Sequence, residues 1–220
     1  MTDLPESTDI TSLRVYLRSV EHMAALHGSP FKGAPFHTME GYVLMRGQEY
    51  ESSPLTDAEA LWLFEVIDAL GGRFPVKQCY ANAQRVLLHV NDGALVEPCE
   101  DMKLEYVEGW AMGLIPVMHG WLLLNGKVVD LSLRLRKPLL RESKVCRRRL
   151  KDRALGQFPE SRQYFGVVYP TAQVAERVRE TGEWGTIIDD WRRGWPVLRA
   201  ECVEPRDGTA AAREERTADN

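Results

Sequence analysis

The sequence predicts an α+β domain in which helices come first and an antiparallel sheet follows. Three observations carry that expectation. Apolar residues recur at helical spacing through the first ninety positions. After Pro98 the texture changes to short runs rich in Val, Leu and aromatics, bounded by turn residues. Asn125-Gly126 stands between two of these runs, and both residues tolerate positive φ, the requirement of a two-residue hairpin turn. Helices followed by consecutive strands make α+β rather than a parallel βαβ arrangement.

Ile10, Leu13, Leu17, Val20 and Ala24 follow Thr8 and Asp9 at helical spacing, so a helix is expected over Asp9–His27, ended by Gly28. Thr56 and Glu59 have the spacing of a capping box and open a helix over Asp57–Leu70, stopped by Gly71-Gly72. A third helix is expected over Cys79–Val90, with Cys79, Ala83, Val86, Leu87 and Val90 on one stripe. Strands are expected over Leu104–Met112, Val117–Leu124, Lys127–Leu133 and Tyr164–Tyr169. Thr171 reads as the N-cap of a last helix carrying Val174, Ala175 and Val178. Residues 1–203 are expected to form one domain with its core at about 56–190, and 204–220 a disordered tail.

Composition narrows the function classes. An apolar fraction of 44% and a charged fraction of 27% over 220 residues suit a soluble chain with a substantial core. No run approaches the ~18 apolar residues of a membrane-spanning helix, and the acidic start Met1-Thr2-Asp3 lacks the basic and apolar regions of a signal peptide. Four widely separated cysteines form neither a disulfide framework nor a metal knuckle, which points to a cytoplasmic protein with reduced thiols, no metal and no cofactor. Between Arg134 and Arg153 lie ten Lys/Arg against two acids, Glu142 and Asp152, inside a chain of net charge −4. That run reads as an exposed, solvated excursion between strands. It also fits an anion- or nucleic-acid-binding segment, or a border of the active cleft that selects anionic substrates.

The hairpin register places the chemistry. With Asn125-Gly126 as the turn, Leu124 pairs with Lys127, Trp121 with Asp130 and His119 with Ser132. His119, Trp121 and Leu123 then share a face with Val128, Asp130 and Ser132. His119 and Asp130 become diagonal neighbours, close enough for a carboxylate to orient an imidazole. Cys79 opens its helix, where the dipole and free N–H groups favour negative charge and stabilise an oxyanion. A buried structural cysteine fits the same stripe.

The other cysteines offer less. Glu97, Glu100 and Asp101 surround Cys99 with negative charge, Cys146 has no histidine near it in sequence, and Cys202 borders the tail. His89 is ten residues along the helix from Cys79, about 15 Å away by helical rise. His22, His27 and His37 have no neighbouring carboxylate strand and read as surface or structural residues.

Gln78-Cys79-Tyr80-Ala81-Asn82-Ala83 at a helix start, followed by Tyr106-Val107-Glu108-Gly109-Trp110-Ala111, His119-Gly120-Trp121 and Gly126-Lys127-Val128-Val129-Asp130, resembles the transglutaminase-like branch of the papain-like cysteine fold. The resemblance covers about 76–169 and lies in the Cys–His–Asp order and its context. It implies Cys79 as nucleophile, His119 as base, Asp130 as orienting acid and a thioester intermediate. Gln78 is the adjacent oxyanion candidate, Trp121 a site-lining candidate, and Tyr164-Phe165-Gly166-Val167 reads as a further sheet strand near the site.

The expected activity is thiol-dependent hydrolysis or acyl transfer at an amide, isopeptide or thioester bond of a peptide, protein or small acyl substrate. Two alternatives stand beside it. One is a non-catalytic member of the fold that binds a peptide or protein partner, with Trp110, Trp121 and Tyr80 as anchors. The other is an anion or nucleic-acid module built on 134–153.

Overall fold

A computed structural model describes residues 12–93, 101–135, 150 and 152–201. Four helices precede most of the sheet: α1 (Leu13–His27), α2 (Met39–Arg46), α3 (Asp57–Ala69) and α4 (Cys79–Asn91). The strands are β1 (Gln48–Tyr50), β2 (Leu104–Met112), β3 (Pro116–Leu124), β4 (Lys127–Arg134), β5 (Arg153–Leu155) and β6 (Gln163–Tyr169). Helix α5 (Thr171–Thr181) and the single turn α6 (Pro196–Arg199) follow.

All six strands pair antiparallel in the order β1-β6-β2-β3-β4-β5. The α+β expectation holds at that level. Strand β6 returns to the middle of the sheet beside β2, and this later places Tyr164 near residues far from it in sequence.

Local chemistry explains the element ends. Thr56 and Glu59 form the expected capping box, with Glu59 N donating to Thr56 Oγ1 at 3.2 Å and Thr56 N to Glu59 Oε2 at 2.7 Å. Asn125 (φ 50°) and Gly126 (φ 79°) take the left-handed conformations that a tight hairpin turn demands. Helix α1 starts at Leu13, capped by Ser12 rather than by Thr8 or Asp9, which lie outside the described residues. Helix α5 begins at Thr171 itself, with Pro170 before it and no side-chain cap, so Thr171 is not an N-cap. Helix α2 and strand β1 had no counterpart in the sequence reading. Both are short, and the Thr38 cap on Gly41 N is the local signal for α2.

Two apolar clusters cover the two sheet faces. The larger gathers Leu17, Leu63, Val86, Leu87, Tyr106, Leu122, Val129 and Phe165 between the helices and the sheet. The smaller packs Tyr50, Val107, Trp121, Leu123, Val128 and Tyr164 on the other face. Leu122, Val129 and Leu131 thus fall opposite Trp121, Leu123 and Val128, the alternation expected from the hairpin. Among the described residues, no helix is long and apolar enough to cross a membrane.

The basic run is only partly described, since 136–149 and 151 lie outside the described residues. Arg134 is exposed, as expected. Arg153 is not: it is buried, and its guanidinium donates to the Ser132 carbonyl while standing 3.7 Å from Asp152. The run therefore contributes at least one cation to the interior, where it ties β5 to β4. Cys99, Cys146, Cys202 and the 204–220 tail also lie outside the described residues.

Candidate active site

The β3–β4 ladder pairs Leu124 with Lys127, Leu123 with Val128 and Leu122 with Val129, and ends there. The expected Trp121–Asp130 and His119–Ser132 ladder pairs are not formed. Past Val129 the pairing of β4 with β5 is irregular, with a register shift between Asp130 and Arg134. Two backbone amides of this bulge turn to the Asp130 side chain: Ser132 N and Leu133 N each donate to Oδ1 at 2.9 Å. The side chain supplies acceptors where the ladder does not.

Oδ2 of the same carboxylate takes two further donors. His119 Nε2 lies at 2.9 Å and Tyr164 Oη at 2.9 Å. All three side chains are buried. Since an ionised carboxylate only accepts, His119 carries its proton on Nε2 toward Asp130, which leaves Nδ1 to face the thiol. Burial raises the Asp130 pKa, but the His119 charge and hydrogen bond, with the Leu133 and Ser132 amides, bring it below the ordinary carboxylate value. For His119, burial disfavours the cation. The charge and hydrogen bond of Asp130, then the hydrogen bond and charge of Cys79, outweigh it and lift the imidazole to about 9.

The site is braced from below. Trp121 stacks on His119 with ring planes 18° apart and centroids 6.2 Å apart, and itself packs edge-on against Tyr50 and Tyr164. It is fully buried, so it supports the imidazole rather than lining the opening. Its indole lies over Gly166, where a Cβ would come within 2.6 Å of the ring.

Cys79 is the free cysteine among the described residues, and it is partly exposed at the first position of α4. The helix packs across β2, β3 and β4 with Ala83, Val86 and Leu87 inward. Asn82, one turn beyond Cys79, fixes that end: its Nδ2 donates to Ser132 Oγ at 2.7 Å and to Pro75 O at 2.8 Å. A cleft of about 510 Å³ opens between the helix start and the separated strands, lined by Cys79, Tyr80, His119 and Ser132 among others. Cys79, His119 and Asp130 are therefore brought together.

Gln78 is not part of the cluster. It is exposed, makes no side-chain capping bond and does not line the cleft. The first-turn amides of α4 are the donors nearest the thiol in sequence, and no earlier carbonyl within the helix can accept from them. His37 bonds Glu21 at 2.9 Å and His89 bonds Arg85 O at 2.7 Å, so both serve local structure.

A second polar cluster borders Cys79 and was not anticipated as functional. Glu108 is fully buried on β2, where its carboxylate accepts from Ile187 N at 2.7 Å and from the Thr186 hydroxyl. Burial pushes it up to about 7 despite those donors and Arg177. Gln84 on α4 clasps the same segment, donating to Gly185 O at 2.7 Å and accepting from Gly185 N at 3.2 Å. The signal available in the sequence was an acid between Tyr106 and Trp110 in a run, Leu104–Met112, that also holds Glu105.

Protein-family models, curated proteins and solved structures yield no match to this chain.

Proposed function

We propose that the protein is a cysteine hydrolase or acyltransferase that acts on an amide, isopeptide or thioester bond through Cys79, His119 and Asp130. One observation carries this reading: the His119 ring stands between an orienting carboxylate 2.9 Å away and the thiol at the start of α4. The Cys–His–Asp order in the transglutaminase-like resemblance points the same way.

The chemistry follows from the roles. Cys79 Sγ, its proton already passed to His119 Nδ1 to give the imidazolium, attacks the substrate carbonyl carbon, and the first-turn amides of α4 receive the negative charge that develops on oxygen. The imidazolium, held by Asp130, returns that proton to the leaving amine or thiolate, and the acyl group remains on sulfur as a thioester. Water or an acceptor amine then attacks the thioester with His119 as base, and Cys79 is released.

The rate of Cys79 alkylation by iodoacetamide across pH tests the proposal. His119→Ala is expected to slow labelling at neutral pH by at least about tenfold while leaving the protein folded, because it removes one half of a nucleophile–base unit. Undiminished labelling in His119→Ala, or a thiol inert at every pH in the folded wild type, would overturn it.

A further inference from the structure

The Cys79 cleft does not end at the catalytic residues. A second cleft of about 600 Å³ lies beside the turn between β2 and β3 and shares Val117, Leu133 and Arg134 with the first. Through these shared walls the two adjoin, and together they extend as a groove from the thiol past Arg134 to Leu114 and Ile115. Those two side chains are 81% and 67% exposed, an apolar pair left in water at the far end of a concave surface.

The charges along the groove are of one sign. Lys77 lines the thiol end, Arg134 the junction and Arg162, which also bonds Tyr164, the second cleft; among the described residues neither cleft is lined by an Asp or Glu. This happens in a chain of net charge −4. Among the described residues Arg134 pairs with Asp152 at 3.4 Å from its Nε, and its side chain is 67% exposed. Lys77 sits two residues before Cys79 with φ at 67°, a left-handed conformation that is unfavourable for a residue with a Cβ. The turn that presents the nucleophile thus also presents a cation.

We propose that this groove selects an acidic peptide as acyl donor. An apolar side chain covers Leu114 and Ile115, and neighbouring carboxylates meet Arg134 and Arg162. The peptide carbonyl then lies at Cys79. The covalent step rests on the function proposed above, whereas binding in the groove does not.

Four peptide chloromethyl ketones, each with its warhead on the second residue, separate the two terms: leucyl-glutamyl, its neutral glutaminyl isostere, its lysyl counterpart and a seryl-glutamyl analogue. Each alkylates Cys79 by forming the S–C bond as chloride leaves. Rates are expressed relative to the iodoacetamide rate of the same variant, so changes in thiol reactivity cancel.

The leucyl-glutamyl probe is expected to react about tenfold faster than the glutaminyl one, the effect of one charge-assisted hydrogen bond. It should outpace the seryl-glutamyl probe by several-fold. Arg162→Gln and Arg134→Gln should each collapse the charge preference toward unity, and Leu114→Ser should collapse the leucyl preference. Equal rates for the glutamyl and glutaminyl probes, a preference for the lysyl probe, or a charge preference that survives both arginine substitutions would overturn the proposal. So would stronger protection of Cys79 by a short oligonucleotide than by the acidic peptide.

If His119→Ala shows the thiol to be unactivated, the corresponding methyl ketones, which cannot alkylate, decide the groove separately. Tighter binding of the leucyl-glutamyl methyl ketone than the lysyl one, lost in Arg162→Gln, supports it. Absence of that difference overturns it.

Discussion

His119 and Asp130 meet at 2.9 Å beyond the end of the ladder that joins their strands, whose last paired residues are Leu122 and Val129. Their contact is made by side chains across a gap in the sheet, and that gap is where the cleft opens. The carboxylate that orients the imidazole is also the acceptor for Ser132 N and Leu133 N.

Asp130→Asn should therefore lower both rate and stability. An amide oxygen can still accept from the bulge, so the chain should fold. The imidazole, however, loses its acceptor charge and its preferred tautomer. In a serine-protease triad that change costs about 10⁴ in rate, and a loss on that order in acylation is expected here. Tyr164→Phe removes only one donor to Oδ2. It should lower stability by about 1–2 kcal/mol in urea unfolding and slow Cys79 alkylation much less than Asp130→Asn does. Equal kinetic losses in the two variants would show that Asp130 acts through packing and not through the histidine.

The raised pKa of His119 has a consequence for stability. The folded state holds its proton up to about 9, against 6.5 for an unperturbed histidine. Its contribution is thus fully present below 6.5, declines as pH rises above that, and is gone beyond about 9. The stability difference between wild type and His119→Gln, measured by denaturant titration, should narrow between pH 6.5 and 9. A constant difference across that window would mean that the imidazole does not change charge there.

Glu108 imposes a second slope at lower pH. Its carboxyl titrates near 7 when folded and near 4.5 when unperturbed. The contribution of the neutral form is complete below 4.5 and is lost as pH rises through about 7. Glu108→Gln keeps an acceptor for Ile187 N and cannot ionise. The variant should gain on wild type from pH 4.5 to 7, on the order of 3 kcal/mol by the size of the shift. Parallel stability curves would refute the assignment.

Gly120 lies against the aromatic residues beside the nucleophile. A Cβ there would stand 2.8 Å from the Tyr80 ring and 2.9 Å from the Tyr106 hydroxyl. Gly120→Ala should lower stability by about 1–3 kcal/mol through overpacking and displace Tyr80, the residue next to Cys79. Slower alkylation of Cys79 together with a reduced melting temperature is the expected pair of results. Unchanged labelling in a destabilised variant would separate Tyr80 from the placement of the thiol.

Features set by a few adjacent residues were legible in the sequence. The Thr56–Glu59 box, the Asn125-Gly126 turn and the helix start at Cys79 each depend on short-range geometry. Counting outward from the turn put His119 and Asp130 together for a partly different reason. It assumed an unbroken ladder, whereas a carboxylate replaces the ladder at the bulge. The Tyr164 strand was expected near the site, but the bonds of Tyr164 to Asp130 and of Arg153 and Asn82 to Ser132 were out of reach, because each joins segments whose relative position depends on sheet order and helix docking. Gln78 was placed near the thiol by adjacency alone, and the end of a helix turns successive side chains in different directions.

The double duty of Asp130 changes what its presence in another sequence would mean. A chain of this architecture that had given up chemistry would still need an acceptor for the two amides of the bulge. Drift would erase the aspartate slowly, because its loss would be felt in folding before any selection on turnover. Cys79 faces the cleft and holds no part of the bulge, so it would be free to change as soon as catalysis ceased to matter. In comparisons among such chains, the aspartate is therefore a marker of the bend in the sheet. The cysteine at the helix start is the position that tells a working enzyme from a retired one.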